Sequence, residues 1–232
     1  MLSLVATPIG NLGDISLRAL ETLKSADLIA AEDTRHSGIL LKHFEIRKPL
    51  VSYHAHNEAK RTSELILELE AGRHVALITD AGMPGISDPG HRLLNLCIER
   101  NLPYTVIPGA SAVLTALLGS GFNTEQFFFG GFLPVKSGGR LREITAAAER
   151  AETSIFFESP YRLTKSLEVA ASALPERRMC VARELTKHFE EYRKGLPAEL
   201  LAYYIAHPPK GEIVLLIDAA SRKRPASSAA AH

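Results

Sequence analysis

The sequence contains no tryptophan and only two cysteines, Cys97 and Cys180, among its 232 residues. These cysteines form neither a CxxC pair nor the dense framework of a small secreted domain, so we expect two free thiols in a reducing compartment. An excess of charge of one sign is also missing, because 27 Lys and Arg oppose 26 Asp and Glu to give a net charge of +1. No overall field draws the molecule to nucleic acid or anionic membrane, and such a contact must use a local basic patch.

Signals for secretion and membrane insertion are missing as well. The segment Met1 to Ala6 lacks the basic region of a signal peptide and runs directly into a predicted strand. The uncharged stretch from Asn101 to Thr124 is broken by prolines and glycines, so we predict a buried strand, a tight turn and a buried helix there. We therefore expect a cytoplasmic protein with no membrane partner.

What the sequence does have is an alternation of short apolar runs and helical patterns, which predicts an α/β fold. The first half has five predicted strands: Leu2 to Ala6, Leu28 to Ala31, Leu50 to Tyr53, Val75 to Thr79 and Tyr104 to Ile107. Their continuous apolar character is typical of a parallel sheet that is covered on both faces. We predict an N-terminal α/β domain over residues 1–122 with a mainly parallel sheet.

The pattern changes after Glu125, where four phenylalanines fall within six residues. The predicted strands of this half are Phe127 to Leu133, Ser154 to Phe157, Met179 to Arg183, Glu191 to Lys194 and Glu212 to Ile217. An antiparallel hairpin around Arg183 and Tyr192 makes this sheet mixed. We predict a C-terminal α/β domain over residues 123–218, followed by a disordered tail rich in alanine and basic residues over 219–232.

Ligands of open parallel sheets bind outside the carboxyl ends of the strands, so the loops there are the first candidates for a site. The loop Asp80 to Gly90 has three glycines and two prolines, and it lets backbone atoms approach a flat ligand closely. Neither GxxxxGK[ST] nor a GxGxxG after the first strand is present, which argues against nucleoside triphosphates and NAD. A small cofactor held by backbone atoms and by the Asp80 carboxylate is predicted instead.

Seven motifs, in order and spanning nearly the whole chain, resemble those of the tetrapyrrole methylase superfamily. They are VATPIGNLGD (5–14), EDTR (32–35), DAGMPGISDPG (80–90), PGASA (108–112), FFESPYR (156–162), RELTK (183–187) and KGEIVLLI (210–217). Within the superfamily they are most similar to bacterial enzymes that methylate a cytidine ribose in the decoding region of small-subunit ribosomal RNA. The sequence departs from the usual pattern at Met83, Gly85, Ala55 and Tyr161.

The resemblance implies two α/β domains with a cleft between them that binds S-adenosyl-L-methionine. It implies 2′-O-methylation of cytidine 1402 in 16S rRNA on the small ribosomal subunit, by a homodimer. The cofactor residues carried over from the family are Pro8, Asp80, Met83, Ile86, Ser111, Ala112, Phe157 and Leu185. No metal is expected, because methyl transfer from a sulfonium needs alignment of the nucleophile and not a Lewis acid.

A ribose hydroxyl becomes a good nucleophile only when its proton leaves, so a base or a positive charge should lie beside it. The candidates for this catalytic role are Arg35, His54, Arg162 and Lys187. The substrate-binding candidates from the motifs are Glu32, Asn57, Glu158 and Arg183. Ion pairs within the chain and a solvated hairpin edge remain the structural alternatives for these charged residues.

The segment Pro134 to Arg142 is predicted to be a mobile cationic loop, because Gly138 and Gly139 lie among its basic residues. Lys136, Arg140 and Arg142 are therefore predicted to contact RNA phosphates. Two other functions stay open at this point. One is methylation of a tetrapyrrole, which shares fold and cofactor, and the other is a non-catalytic RNA-binding or ribosome-assembly module.

Overall fold

The computed structural model describes residues 1–220. The chain divides into two compact units, the first covering Met1–Ala112 and the second beginning at Val113. The predicted tail lies, from residue 221 onward, outside the described residues.

The first unit contains a five-stranded parallel sheet in the order β3-β2-β4-β1-β5. Its strands are β1 (Leu2–Val5), β2 (Leu28–Ala31), β3 (Leu50–Ser52), β4 (Val75–Ile78) and β5 (Tyr104–Ile107). Its helices are α1 (Leu17–Ser25), α2 (Thr34–His43), α3 (Glu58–Glu70) and α4 (His91–Glu99), and α5 (Ala112–Ser120) begins at its last residue.

The first sheet is covered on both faces. On one face Leu23 of α1 and Leu41 of α2 pack against Ile29, and on the other Leu65 of α3 and Leu93 of α4 pack against the strands. Every residue of β1, β2 and β4 is buried, which explains why these strands have continuous apolar runs and no alternation. The predicted parallel sheet is confirmed.

The order of the strands creates a topological switch point between β2 and β4. The chain leaves β2 through α2 toward β3, but it leaves β4 through α4 toward β5, on the opposite side and over the opposite face. Ligands of doubly wound sheets bind in the crevice at such a point. The residues that follow β2 and β4 are therefore the natural place for a site in this unit.

The second unit contains a five-stranded mixed sheet in the order β6-β7-β10-β8-β9. Its strands are β6 (Phe127–Phe132), β7 (Thr153–Glu158), β8 (Met179–Arg183), β9 (Glu191–Gly195) and β10 (Ile213–Ile217). Its remaining helices are α6 (Ser137–Glu149), α7 (Leu163–Ala173) and α8 (Pro197–Ala206). β6 and β7 are parallel and the other pairs are antiparallel, so the predicted mixed sheet and the β8–β9 hairpin are confirmed.

The register of β6 shifts between Phe129 and Phe132, where the sequence has two glycines. A Cβ at Gly130 would collide with the ring of Phe156 on the neighbouring strand, and Gly131 has a φ of +66°. The glycines therefore let a bulged strand lie close to a buried aromatic ring.

The prediction of a mobile loop over residues 134–142 was wrong. Helix α6 begins at Ser137 and includes both glycines, and its Ile144 and Ala147 pack into the core of the second unit. A Cβ at Gly139 would lie 2.9 Å from Cβ of Pro134, so this glycine permits close packing of the helix start. In residues 1–220, no helix combines the length and the apolar character needed to cross a membrane.

Candidate functional site

Two acidic residues meet at the switch point of the first unit. Glu32 follows β2 directly and Asp80 follows β4 after one residue, and the backbone NH of Asp33 donates to Oδ1 of Asp80 at 3.1 Å. Burial raises the pKa of Glu32, and the charge of Asp80 raises it further, whereas a backbone hydrogen bond from Asp80 and the charge of His54 oppose that rise. The strand ends thus hold two interacting carboxyl groups.

A third carboxyl group, Asp88, lies in the glycine-rich loop and interacts with both. Burial, together with the charges of Glu32 and Asp80, raises the pKa of Asp88 to about 7. None of the three carboxylates takes part in the ion pairs found in residues 1–220. A cationic ligand would relieve this uncompensated negative charge.

The loops after β1 and β4 are joined by backbone. Thr7 and Gly82 form an isolated antiparallel bridge, with Thr7 N to Gly82 O at 2.9 Å and Gly82 N to Thr7 O at 3.0 Å. The Thr7 hydroxyl also donates to the carbonyl of Thr79 at 3.1 Å, while the Thr79 hydroxyl is buried and has no partner in the described chain. The result is a fixed backbone rim beside the carboxylates.

Glycine is required where this rim is tightest. Gly82 and Gly85 have φ values of +81° and +82°, and a Cβ at Gly90 would lie 2.9 Å from Leu77.

The predicted cofactor residues of the first unit differ in burial. Pro8 is buried, Met83, Ser111 and Ala112 are partly buried, and Ile86 is 50% exposed. A side-chain-poor rim of this kind suits a ligand that contacts backbone atoms.

His54 and Asn57 form a tight local network after β3. Oδ1 of Asn57 accepts from the backbone NH of His54 at 2.8 Å, and Nδ2 of Asn57 lies 3.1 Å from Nε2 of the same histidine. Nδ1 of His54 is buried and has no partner in the described chain. Nearby, Oε1 of Glu58 accepts from the Tyr53 hydroxyl at 3.1 Å and from the NH of Gly90 at 3.3 Å, which ties this segment to the glycine-rich loop.

Arg35 points away from these groups toward its own helix cap. Its side chain is 90% exposed and pairs with Asp33, with Nη2 and Oδ2 separated by 2.9 Å. Asp33 also caps α2 by accepting from the backbone NH of Arg35 at 2.8 Å. These hydrogen bonds lower the pKa of Asp33 to about 2 and raise that of Arg35. The first unit therefore brings Glu32, His54 and Asp80 together, whereas Arg35 is held by Asp33.

In the second unit, the predicted site residues lie at one edge of the sheet. Ile213, the first residue of β10, pairs with Glu158 at the end of β7 and with Arg183 at the end of β8. Phe157 is partly buried, and its ring packs edge-on against Phe129 and Phe132 at centroid distances of 5.0 and 5.4 Å. Leu185 is buried at the same edge.

Glu158 and Arg162 form a pair at this edge. Oε1 of Glu158 lies 2.8 Å from Nη2 of Arg162 and also accepts from the backbone NH of Ser159 at 2.8 Å. Its Oε2 accepts from the hydroxyl of Ser166. Nη1 of Arg162 donates to the carbonyl of Leu133 at 3.2 Å, so this arginine also fastens the end of β6.

Lys187 bridges two carboxylates, with Nζ 2.9 Å from Oε1 of Glu184 and 2.9 Å from Oε2 of Glu212. Burial lowers the pKa of Lys187, but the two carboxylates outweigh burial and raise it above its usual value. The backbone is strained at this turn, because Glu184 and Thr186 have φ values of +51° and +64°. This arrangement fixes Leu185 between the two strained residues.

The remaining basic candidates differ in exposure. Lys136 and Arg142 are exposed, but Arg140 is only 5% exposed and donates to the carbonyl of Val135 at 3.1 Å. Arg183 pairs with Glu191, with Nε 2.7 Å from Oε2. Lys136 and Arg142 are therefore the members of the predicted basic group that present an exposed charge.

Two residues of this site were missed in the sequence. Asp88 lies within the glycine-rich motif, and its closeness in sequence to Asp80 could have indicated a further carboxyl group at the site. Glu184 stood between Arg183 and Leu185, and only the fold shows that it contacts Lys187 and Glu212. In residues 1–220, no group of three or more His, Cys, Asp or Glu side chains is arranged to hold a metal ion.

Comparison with known families gives a match over most of the chain. Residues 1–201 match the model of the Tetrapyrrole (Corrin/Porphyrin) Methylases. The chain is 49% identical over 222 residues to Ribosomal RNA small subunit methyltransferase I of Synechocystis sp., covering 95% of this chain and 80% of that protein. It is 50% identical over 224 residues to the protein of the same name from Mesorhizobium japonicum, covering 96% and 76%.

Solved structures share the fold at low sequence identity. The uroporphyrin-III-C-methyltransferase of Thermus thermophilus matches with a TM-score of 0.68 at 20% identity, over 94% of this chain and 93% of that chain. Diphthine synthase matches with a TM-score of 0.69 at 16% identity, over 94% and 89%. These similarities establish the architecture.

Proposed function

The chain belongs to the tetrapyrrole methylase family and is a methyltransferase, and we propose that it methylates the ribose 2′-hydroxyl of cytidine 1402 in 16S rRNA. The observation that carries this proposal is the identity of 49–50% with relatives named Ribosomal RNA small subunit methyltransferase I. By contrast, the tetrapyrrole enzyme of the same fold is only 20% identical. We propose S-adenosyl-L-methionine as the methyl donor.

The residues at the switch point of the first unit fit this cofactor. The donor carries a positive sulfonium and a positive amino group, and Glu32, Asp80 and Asp88 at this edge take part in none of the ion pairs found in residues 1–220. Asp80 would bind polar groups of the cofactor, while Pro8, Met83, Ile86, Ser111 and Ala112 would supply backbone and apolar contacts. In the second unit, Phe157 and Leu185 are the proposed contacts.

When bound, the cofactor supplies a methyl group that is already activated by its sulfonium. The protein's task is then to hold the 2′-oxygen in line with that methyl group, and positioning of this kind contributes about 7–11 kcal/mol in well-aligned systems. In the first unit, the bridged loops at Thr7 and Gly82 provide a rigid support for such alignment. When the residues that contact the reacting groups are rigid, they keep the reacting atoms in a productive geometry.

The four catalytic candidates differ in what they can do. Arg35, Arg162 and Lys187 each pair with a carboxylate, and they can act through their positive charge. His54 instead has a buried ring nitrogen for which the described part of the chain offers no partner, and its charge acts on Glu32. We therefore assign His54 the contact with the ribose hydroxyl, with Asn57 orienting the ring and Glu32 beside it.

RNA recognition is proposed for the exposed cations of the second unit. Lys136 and Arg142 lie at the surface of α6, where they can neutralise phosphates without a cost in buried charge. Arg183, Glu158 and Arg140 stay proposed substrate-binding residues, and each is held by contacts within the second unit. We further propose that the protein works as a homodimer in the cytoplasm, where its ribosomal substrate is found. Light scattering of the purified protein measures its oligomeric state.

The decisive experiment uses small ribosomal subunits from cells that lack the activity. The protein is incubated with these subunits and labelled S-adenosylmethionine, and the modified ribose is mapped by mass spectrometry. We expect one methyl group on the 2′-oxygen of cytidine 1402. Asp80→Ala should bind the cofactor at least tenfold more weakly, since a hydrogen bond to a charged group contributes about 1.5–3 kcal/mol. Glu21→Ala, an exposed carboxylate on α1, is the matched control.

The alternatives give different results in the same assay. Transfer of label to uroporphyrinogen and not to the subunit would support a tetrapyrrole methyltransferase. Cofactor binding in calorimetry without turnover on any subunit would support a non-catalytic assembly module. Absence of cofactor binding would refute the methyl-donor site.

A further inference from the structure

The second unit contains a cavity of about 710 Å³ that includes none of the predicted site residues. It lies between the start of α7, the end of α8 and the loop that leads to β10. The side chains that matter for its chemistry are Tyr161, Thr164, Tyr204, Pro208, Pro209 and Lys210. Its volume falls within the range of about 300–1,000 Å³ that is usual for small-molecule sites.

The walls of this cavity offer flat surfaces. Tyr161 is 90% exposed, so its ring covers no core and is available for stacking. Pro208 and Pro209 present rigid apolar faces on another side of the cavity. An exposed aromatic ring beside rigid apolar faces is a platform on which a planar ring stacks, as unpaired bases do on proteins.

The cavity also has a buried hydrogen-bonding group. Tyr204 is only 2% exposed, and its hydroxyl has no partner in the described chain. Burial raises the pKa of Tyr204 above its usual range, so the phenol keeps its proton and remains a donor. A buried polar group without a partner is costly, and a ligand with an acceptor would remove this cost.

A free cation completes the cavity wall. Lys210 is exposed, and its ammonium takes part in none of the ion pairs found in residues 1–220, unlike Lys187. Its backbone is held in place, because the carbonyl of Lys210 accepts from Nη1 of Arg183 at 3.5 Å. The position therefore combines a fixed backbone with an unpaired positive charge.

We propose that this cavity binds one unpaired nucleobase of the RNA substrate, stacked on Tyr161, with the adjoining phosphate on Lys210. Thr164 and Tyr204 also line this cavity. The proposal rests on the proposed function and adds to it a contact made by residues other than those assigned to methyl transfer. A base with its phosphate matches the combination of flat walls, a neutral donor and a cation, whereas a proline-rich peptide would not use the cation.

The test compares matched variants in the subunit methylation assay. Tyr161→Ala should raise KM for the small subunit about 5- to 100-fold, because stacking of one base is lost, while kcat and cofactor affinity stay unchanged. Tyr161→Phe keeps the ring and should behave like the unmodified protein. Lys210→Ala should raise KM several-fold and reduce the slope of log affinity against log salt by about one. Tyr104→Ala and Lys24→Ala, exposed residues of the first unit, are the controls.

A crosslink locates the contact directly. Subunits that contain 4-thiouridine are irradiated with the protein, and the crosslinked peptide is identified by mass spectrometry. An RNA crosslink within the peptide that contains Tyr161, together with the KM effects, would support the proposal. Unchanged KM in both Tyr161→Ala and Lys210→Ala, with an active unmodified protein, would overturn it and leave the proposed function standing.

Two further outcomes also count against it. A contact between this peptide and a ribosomal protein, without RNA, would replace the base by a peptide partner. Failure of the unmodified protein to methylate the subunit would instead remove the proposed function, and this inference with it.

Discussion

Nη2 of Arg162 lies 2.8 Å from Oε1 of Glu158, whose side chain is completely buried. Two residues to which the sequence motifs gave separate roles, one catalytic and one in substrate binding, are thus partners. A buried carboxylate without its cation is strongly unfavourable. The pair therefore stabilises the edge of the second sheet as well as any site that forms there.

Removing the guanidinium of Arg162 should show how far the stability of the second unit depends on this ion pair. We expect Arg162→Met to lower the free energy of unfolding by about 3–5 kcal/mol, and the addition of Glu158→Gln to restore part of that loss. Urea denaturation followed by circular dichroism measures both. As a control, Arg178→Ala breaks a pair with Asp218 in which the arginine side chain is 69% exposed, and it should cost at most about 1 kcal/mol. Equal losses for Arg162→Met and Arg178→Ala would contradict the assignment.

Gly211 and Gly72 offer a matched comparison of backbone strain and steric clash. Their φ values are +82° and +80°, but a Cβ at Gly211 would collide with the Glu184 carboxylate, whereas a Cβ at Gly72 meets nothing within 4 Å. Gly72→Ala should cost about 1–2 kcal/mol from backbone conformation alone. Gly211→Ala should cost more, because Glu184 must leave its contacts with Lys187 and Glu212.

Gly211 and Glu184 supply the decisive double variant. In Gly211→Ala with Glu184→Ala the clash is gone, so the added cost of Gly211→Ala in that background should fall to that of Gly72→Ala. Chemical denaturation of the four variants gives this coupling. Simple additivity of the two changes would show that Glu184 does not fill the space at Gly211.

The raised pKa of Asp88 predicts a pH dependence of stability. With a pKa of about 7 in the folded state and an ordinary value of 3.8, the folded protein keeps a proton that the unfolded chain has already lost at intermediate pH. The free energy of unfolding should therefore fall as pH rises from about 4 to about 7. Asp88→Asn should remove the part of this pH-dependent loss of stability that comes from Asp88. At pH 8 the variant should therefore be more stable than the unmodified protein.

Urea titrations at pH 5 and pH 8 measure this effect as a difference between variants. Asp14→Asn changes an exposed carboxylate of the same unit and should leave the pH dependence unchanged. If Asp88→Asn and the unmodified protein lose the same stability between the two pH values, the carboxyl cluster does not hold the extra proton.

Exposure separates the three basic residues of the segment 134–142. Lys136→Ala with Arg142→Ala should weaken subunit binding several-fold and reduce its salt dependence by about two counterions, while cofactor affinity is kept. Arg140→Met should mainly lower stability, since the guanidinium is buried against the carbonyl of Val135. Binding at several salt concentrations, measured with thermal unfolding, tests both halves. Unchanged binding by the double variant at moderate salt would refute a phosphate contact.

The sheets were largely predictable from the sequence. Strands buried on both faces appear as unbroken apolar runs, such as Val75–Ile78, and all ten strands lie at the predicted positions. The start of α6 was not predictable from local preference, because Gly138 and Gly139 disfavour a helix by themselves. Packing of Ile144 and Ala147 in the core outweighs that preference.

The site was predictable only in part. Carboxylates that directly follow parallel strands, such as Glu32 and Asp80, can be placed at one edge of a sheet from the sequence alone. The partners of the charged residues depend on side-chain directions that the sequence does not encode locally, as with Lys187 between Glu184 and Glu212. The cavity at Tyr161 needs residues from two helices and a loop, so no single motif indicates it.

The two hydrogen bonds between Thr7 and Gly82 have a dynamic consequence. Two segments that are joined by backbone hydrogen bonds cannot open locally one without the other. The turn after β1 and the turn after β4 should therefore open in one concerted event. Their amide hydrogens should then exchange with solvent at a common rate, slower than that of neighbouring surface turns. Entry of a ligand at this rim would be governed by that shared opening.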